Sequence, residues 1–305
     1  MTSPSFFGAS SRLLALSLLA SASISLPAAV ITWGGSTGEY TTAGNWTGGL
    51  LPNTNSGDTA LITAGAVTYT PGGDLTLHNG GKLQISGGSW TQVDSVAWIQ
   101  MAGGSIVVDG GTFNQGTAGN LVLDSSSSIS ISSGAANFNG NFIYQPTNSG
   151  TFSITGGTVS VANEFKPIET FTMSGGSLTA TLISFADGTG GVNLAGGTIT
   201  LDGSGGNHGF YGGDANKGLN FTSAAGTLFL SSFTISELTT AGFLTNGTIQ
   251  YNGTVDSSKF NLSEADGGVY VTAVGSAIPE PSTAAALFGL IVLGAACNRR
   301  RRSRA

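Results

Sequence analysis

Three aspartates, Asp94, Asp109 and Asp124, recur at intervals of fifteen residues, and spaced carboxylates are what hydrolysis of a glycosidic bond requires. One must be protonated to assist the leaving group and the other ionised, with the pair held about 5 to 10 Å apart. Asp109 and Asp202 stand directly beside glycines, a setting in which aspartate commonly accepts backbone hydrogen bonds at a turn. A polysaccharide lyase would instead need a base to abstract a proton and carboxylates to hold calcium. The only bases for that role between the two termini are Lys82, Lys166, Lys217 and Lys259, which fall in different stretches with no acidic cluster beside them.

Metal and nucleophile patterns are missing. His78 and His208 are the only histidines, with no spacing that would place two ligands on one ion. Gly205-Gly206-Asn207-His208 and Gly212-Gly213-Asp214 do not fit the calcium-binding nonapeptide, and no nucleophile elbow, P-loop or dinucleotide fingerprint lies between a strand and a helix. Five Asn-x-Ser/Thr triplets, at Asn45, Asn220, Asn246, Asn252 and Asn261, are expected by chance in a chain so rich in these residues. The sequence therefore assigns no catalytic residue, no cofactor and no metal.

Charge narrows the partners. The whole chain carries a net charge of −6, but six of its ten basic residues are arginines in the terminal segments. Without those ends, four lysines face fifteen carboxylates and the body stands at −11, with no arginine. Such a body cannot neutralise phosphate, which excludes nucleic acid and anionic lipid as partners. The single cysteine, Cys297, also lies outside it, so the body must be held by its core and not by disulfides.

The elements that would position any site come from a repeat marked by glycine pairs. Leu83-Gln-Ile-Ser-Gly87-Gly88-Ser-Trp90 is echoed by Ile106-Val-Val-Asp-Gly110-Gly111-Thr-Phe113 and by Phe152-Ser-Ile-Thr-Gly156-Gly157-Thr-Val159. The second glycines fall at 88, 111, 134, 157, 176 and 197. A near-constant period of about twenty residues is the mark of a solenoid. Within each unit apolar residues alternate with Ser or Thr, the period-two signature of a strand with one buried face. The glycines supply the positive φ of a tight corner.

The expected fold is all-β: a right-handed parallel β-helix of about twenty-residue coils, with inward Ile, Val, Leu and Phe stacked along one core. A reading of each Gly-Gly as a hairpin turn in a β-sandwich or meander stays open for any single unit. Open ends of a solenoid need caps. Trp33, Tyr40 and Trp46 are the candidates at the first coil, with sugar stacking as their alternative role. Beyond Gly203 the pattern loosens. Ser236 to Ala241 forms the one candidate helix with Ser236 as its cap, followed by strands near Thr248 to Tyr251 and Gly268 to Thr272.

Both termini point to export. Arg12, the apolar Leu13 to Ala20 and the small residues to Ala29 read as a signal peptide cut after Ala28 or Ala29. At the other end Pro279-Glu280-Pro281 blocks a continuous helix. The uncharged run Thr283 to Cys297 follows, then Arg299, Arg300, Arg301, Arg302 and Arg304. That run reaches roughly 22 Å as a helix, short of a hydrocarbon core of about 30 Å, so bilayer thinning or snorkelling of the arginines makes up the difference. Basic flanks stay on the cytoplasmic side, which puts everything before Pro279 outside.

This tail resembles the PEP-CTERM sorting signal of exported bacterial proteins, and the stretch Asn45-Trp46, Pro52-Asn53, Asp58-Thr-Ala60 resembles the opening of secreted autotransporter-like β-helix proteins. The first resemblance implies a membrane transpeptidase, exosortase, that recognises Pro279, Glu280 and Pro281. In that case the catalytic cysteine belongs to the transpeptidase and not to Cys297. Residues 205–274 resemble the terminal module of PEP-CTERM solenoid proteins. The expected organisation is a signal peptide at 1–29, N-terminal cap and first strands at 30–74, solenoid repeats at 75–204 and a C-terminal cap at 205–274. A linker at 275–282, a transmembrane helix at 283–298 and a cytoplasmic tail at 299–305 complete it.

The expected partners are the Sec export machinery, exosortase, the membrane through residues 283–298 and extracellular polysaccharide. The expected role is a non-enzymatic protein of the cell surface or extracellular matrix, with a polysaccharide-active β-helix lyase or glycoside hydrolase as the alternative.

Overall fold

A computed structural model describes residues 28–275, apart from 71, 94–96, 118, 125, 145–149, 168–170, 187–189 and 215. The chain is all-β with little helix, wound as a β-solenoid of about six turns. Each regular coil runs along a first face, turns a glycine corner, runs along a second face, and crosses a third before rising to the next coil. The coil that begins at Ser105 shows the plan: Ser105–Gln115 covers the first two faces with the corner inside it, and Asn120–Leu123 forms the third.

Parallel pairing fixes the coil length. Thr59 stands beside Lys82, Lys82 beside Ser105, Ser105 beside Ser128 and Ser128 beside Thr151, a step of 23 residues each time. Phe152 then pairs with Phe171 and Phe171 with Val192, steps of 19 and 21. Parallel stacking on the first face extends past the regular repeat at both ends, from Val30–Thr32 to Ile249–Tyr251, through longer steps of 29, 27 and 30 residues. The repeating Gly-Gly pairs are therefore corners between faces of one coil. They are not hairpin turns.

Alternation within each strand sends every second side chain inward, and translation by one coil puts it against its counterpart. On the first face Leu83, Ile106, Ile129, Phe152 and Phe171 form one such ladder, all at 2 % exposure or less. On the second face Val67, Trp90, Phe113 and Ala136 form another, and Tyr69 and Phe138, from the next inward position of their strands, extend the Trp90–Phe113 stack at both ends, with centroid separations of 5.6, 5.1 and 5.5 Å. On the third, Leu77, Met101 and Leu123 do the same. Burial of side chains this size contributes about 1.5 to 3 kcal/mol each, so a long series of rungs can hold this body without disulfides.

The corners demand glycine twice over. Gly134, Gly157, Gly176 and Gly197 take φ of 80°, 72°, 74° and 81°, a left-handed backbone that costs an L-residue about 1 to 2 kcal/mol. The corners also stack closely: a Cβ on Gly157 would stand 2.6 Å from the carbonyl oxygen of Gly134, and one on Gly176 2.5 Å from that of Gly157. Only a residue without a side chain satisfies both conditions at coil spacing.

Two inward positions break the apolar pattern. Gln92 and Gln115 are 3 % and 1 % exposed, yet each occupies the last inward site of its second-face strand. Their amides close the next corner: Gln92 donates to the Ala97 carbonyl and Gln115 to that of Gly119, while the Gly116 amide donates to Gln92. Buried backbone oxygens thereby receive the partners that water would otherwise supply.

The two ends are finished differently. At the N-terminal end Trp33, Tyr40 and Trp46 are buried together, with Trp46 edge-on to both at 5.1 Å and its indole donating to the Tyr40 carbonyl. The Tyr40 ring in turn meets that of Tyr69 at 5.5 Å, which joins this cluster to the aromatic column of the second face. At the C-terminal end the second face passes from parallel to antiparallel order: Gly226–Ser231 pairs with Gly268–Ala273, which pairs with Phe260–Ala265. The short helix Ile235–Ala241 is capped by Thr234, not by Ser236. Thr234 receives the Glu237 amide while the Glu237 carboxylate takes the Thr234 amide, a reciprocal arrangement that Ser236, already inside the first turn, cannot make.

Candidate functional site

The carboxylates that invited a glycosidase reading are not brought together. Asp109 lies at the corner between the first and second faces, where Gln84 of the coil below donates to its Oδ2 at 2.9 Å and its Oδ1 is buried without a partner. Asp124 lies at the corner that leads to the next coil, where its backbone bonds to Met101 and Ser127. A four-residue strand of the first face separates those corners, roughly 13 Å of extended chain, too long for direct cooperation across one glycosidic bond. Asp94 lies outside the described residues.

Asp202 acts as a turn residue. It is exposed, its Oδ1 accepts the Ser204 amide at 2.9 Å, and hydrogen bonds from Ser204 hold its carboxyl below the usual aspartate range. His78 lies on the third face of an early coil, while His208 sits far along the stack, its Nδ1 3.2 Å from the Gly203 carbonyl and its ring 4.9 Å from that of Phe233. Among the described residues no group of three or more His, Cys, Asp and Glu side chains could hold a metal ion.

The lysines are as dispersed as the sequence indicates. Lys166 pairs with the carboxylate of Glu164 at 3.2 Å, two residues earlier in the chain. Lys82 projects from the first face, Lys217 exchanges backbone hydrogen bonds with Asp214, and Lys259 ends a single 3-10 turn begun by Asp256. Trp33, Tyr40 and Trp46, at 4 %, 4 % and 2 % exposure, present no open ring for a sugar to stack on. Burial raises the Tyr40 hydroxyl far above the ordinary phenol value, and burial with the nearby charges of Asp74 and Glu39 pushes Tyr69 up to about 12.

What the fold does assemble is a surface. On the second face the outward side chains form two parallel ranks, one on each side of the buried ladder. Thr158, Ser177 and Thr198 stand in one rank, and Ser160, Thr179 and Thr200 in the other. Coils are about 4.8 Å apart and alternate residues of a strand about 6.6 Å apart, so the hydroxyls fall on a grid. Among the described residues none of these six side chains hydrogen-bonds to another protein group. Earlier coils of the same rank differ: Asn114 donates to Thr91 at 3.0 Å and Asn137 donates to Asn114 at 2.8 Å, so those amides are spent partly on each other.

The sequence carries the alternation that creates these ranks, but not the register that turns isolated Ser and Thr into an array. Pro279, Glu280, Pro281 and Arg299, Arg300, Arg301, Arg302 and Arg304 lie outside the described residues, as do residues 283–298 and the signal segment before Ala28. Among the described residues no helix is long and apolar enough to cross a membrane. Compared with protein-family models, curated proteins and solved structures, the chain matches none.

Proposed function

We propose that this chain is the precursor of an exported, non-enzymatic protein of the bacterial cell surface or extracellular matrix, sorted through a PEP-CTERM signal. The observation that carries this reading is the order at the C-terminus: Pro279-Glu280-Pro281, an uncharged segment, then five arginines. The signal peptide at 1–29 starts translocation through the Sec machinery, the helix at 283–298 holds the product with its body outside, and exosortase acts at the Pro-Glu-Pro element. A right-handed winding follows from the strong preference of parallel crossover connections.

The body is compatible with such a role. Its rungs are held by packing and backbone pairing, it contains no cysteine, and its outward surface is rich in hydroxyl and amide groups, suited to association with extracellular polysaccharide. A lyase or hydrolase would need acid and base groups converging on one point, and Asp109 and Asp124 stand at separate corners.

The test is to place one epitope tag after Gly49 and another after Ala305, and to express the chain with an active exosortase. The mature surface product should keep the first tag and lose the second. Glu280→Ala should leave both tags on a membrane-bound form. Accumulation of doubly tagged wild-type protein at the outer surface would overturn the sorting reading.

A further inference from the structure

We propose that the double hydroxyl rank of the second face is a docking surface for a neutral polysaccharide, lying along the solenoid axis with successive sugars crossing successive coils. The inference rests on the extracellular reading above and adds to it the face and the chemical class of the polymer.

Four properties of the face select this occupant. First, among the described residues Thr158, Ser177, Thr198, Ser160, Thr179 and Thr200 leave their hydroxyls without protein partners. The β-branched threonines are stiff at χ1, so a rank of them presents donors and acceptors with few rotamers to lose on binding. Second, an outward sheet face encloses nothing and cannot hold a small molecule as a pocket does. Each hydroxyl contact gains little over water, and only a partner that repeats the same contact over several coils accumulates affinity. A polymer with ring hydroxyls at every unit is such a partner.

Third, neither rank holds a charged residue from Ala66 and Thr68 through Thr227 and Thr200, while the body around it is strongly acidic. A polyanion would meet repulsion and no compensating lysine, so the polymer is neutral and uronate-free. Fourth, up to Thr198 and Thr200 the ranks carry no large apolar side chain, and the first one, Phe229, stands one coil further on, stacked against Tyr270. A second copy of the chain, bearing the same acidic charge, would find neither the hydrophobic centre nor the opposite charges that hold protein interfaces.

The full chain is incubated with microcrystalline cellulose, a neutral β-1,3-glucan gel and a neutral mannan, and with alginate as the anionic control. Retention is measured together with thermal unfolding. The wild type should be retained on at least one neutral polymer and not on alginate. Ser177→Glu combined with Thr198→Glu should lower that retention at least about tenfold. Thr179→Val, which removes a hydroxyl with little change in shape and keeps the fold testable if the charged pair unfolds, should lower it about threefold. Ser130→Glu, outward on the first face, should leave it unchanged.

Retention that survives the second-face variants but falls with Ser130→Glu would overturn this assignment while leaving the matrix role standing. Correct sorting in the epitope experiment with no retention on any neutral polymer would also overturn it. So would preferential retention on alginate, or inhibition of ice growth by this face without polysaccharide binding.

Discussion

Glycine turns appear in two settings in this chain, and they do opposite things. At Gly156-Gly157 and its counterparts the turn joins two faces of one coil, and the strands it links pair with the coils above and below, all in parallel. At Asp266-Gly267, with φ of 53° and 74°, the turn folds Phe260–Ala265 directly against Gly268–Ala273 in an antiparallel hairpin. The backbones differ by one residue: at the corner only Gly157 is left-handed, with φ of 72°, whereas the hairpin places two left-handed residues in succession, as a tight two-residue hairpin turn requires. The pairing differs with it, according to whether the flanking strands find an equivalent strand one period away. In the repeat they do, every 19 to 23 residues. Near the C-terminus they do not, and the strands pair with each other.

That difference explains how the sheet ends. Another parallel coil would leave one more open edge of unpaired backbone groups. The hairpin instead covers Gly226–Ser231 and presents as the last strand one whose core-side face, begun by Phe260 and Leu262, ends in the exposed Glu264, with Asp266 at its turn. Charged residues at an edge discourage the addition of another chain. Phe229 and Tyr270 stack outward across this junction at 4.5 Å, and the Phe229 ring crowds the place where Gly268 would carry a Cβ, 2.7 Å away. The hydroxyl rank stops at that aromatic pair.

The sharpest way to break the comparison is to add one methyl group to a glycine in each setting. Gly134 in the stack has φ of 80°, and a Cβ there would stand 2.1 Å from the Gly111 carbonyl oxygen. Gly267 in the hairpin has φ of 74° with no atom within 4 Å of that position. Gly267→Ala should therefore cost only the left-handed conformation, about 1 kcal/mol. Gly134→Ala adds displacement of the neighbouring coil and should cost more than about 3 kcal/mol. Equilibrium denaturation of the two variants measures both, and equal losses would mean that coil-to-coil contact at the corner contributes nothing.

How far the sequence reveals each region follows from the same distinction. The coil stack is legible because its long-range contacts join equivalent residues of successive units: Ile129 meets Ile106 and Phe152 because all three occupy one place in the repeat. The inward glutamines are not legible, since period-two alternation anticipates an apolar side chain where Gln92 and Gln115 serve the corner carbonyls. The hairpin carries a recognisable Asp-Gly signal between alternating segments, but once the long period is lost no repeat predicts that its partner is Gly226–Ser231. Asp109 and Asp124 follow the same rule: an interval of fifteen residues does not match a 23-residue coil, which the sequence alone shows, and the two lie at different corners. The hydroxyl ranks lie between these cases, with their residue types visible in the sequence and their alignment visible only in the register.

A second contrast concerns tyrosine. Tyr69 lies in the aromatic column with its hydroxyl donating to Gly73 at 3.0 Å and its pKa pushed up to about 12, whereas Tyr270 is raised chiefly by its hydrogen bond to the Asp266 carboxylate. Folding keeps such phenols protonated at a pH where the unfolded chain ionises, so the folded state binds more protons and stability falls as pH rises. For Tyr69 the loss should begin near pH 10 and continue to about pH 12. Melting temperatures measured across that window for wild type and Tyr69→Phe should diverge, with the variant falling less steeply. Parallel curves would assign the alkaline loss to other groups.

The smallest effect separates local from stacked stabilisation. The helix Ile235–Ala241 buries one side chain, Leu238, and has only seven residues, too few to persist on propensity alone. Its start therefore depends on the Thr234 and Glu237 cap and on Glu264 of the hairpin edge, which accepts the Ile235 amide at 2.6 Å. Thr234→Ala should cost about 1 kcal/mol in global unfolding, while Thr234→Ser, which keeps the capping oxygen, should cost far less. Hydrogen exchange would locate the change: faster exchange confined to the first turn of the helix, with the amides of Ser128–Phe138 unaltered, is expected of a C-terminal module attached to a stack that stabilises itself coil by coil. If loss of this cap speeds exchange through the central coils as well, the two regions unfold as one unit, and the division between repeat and terminal module fails energetically even though their turns differ in kind.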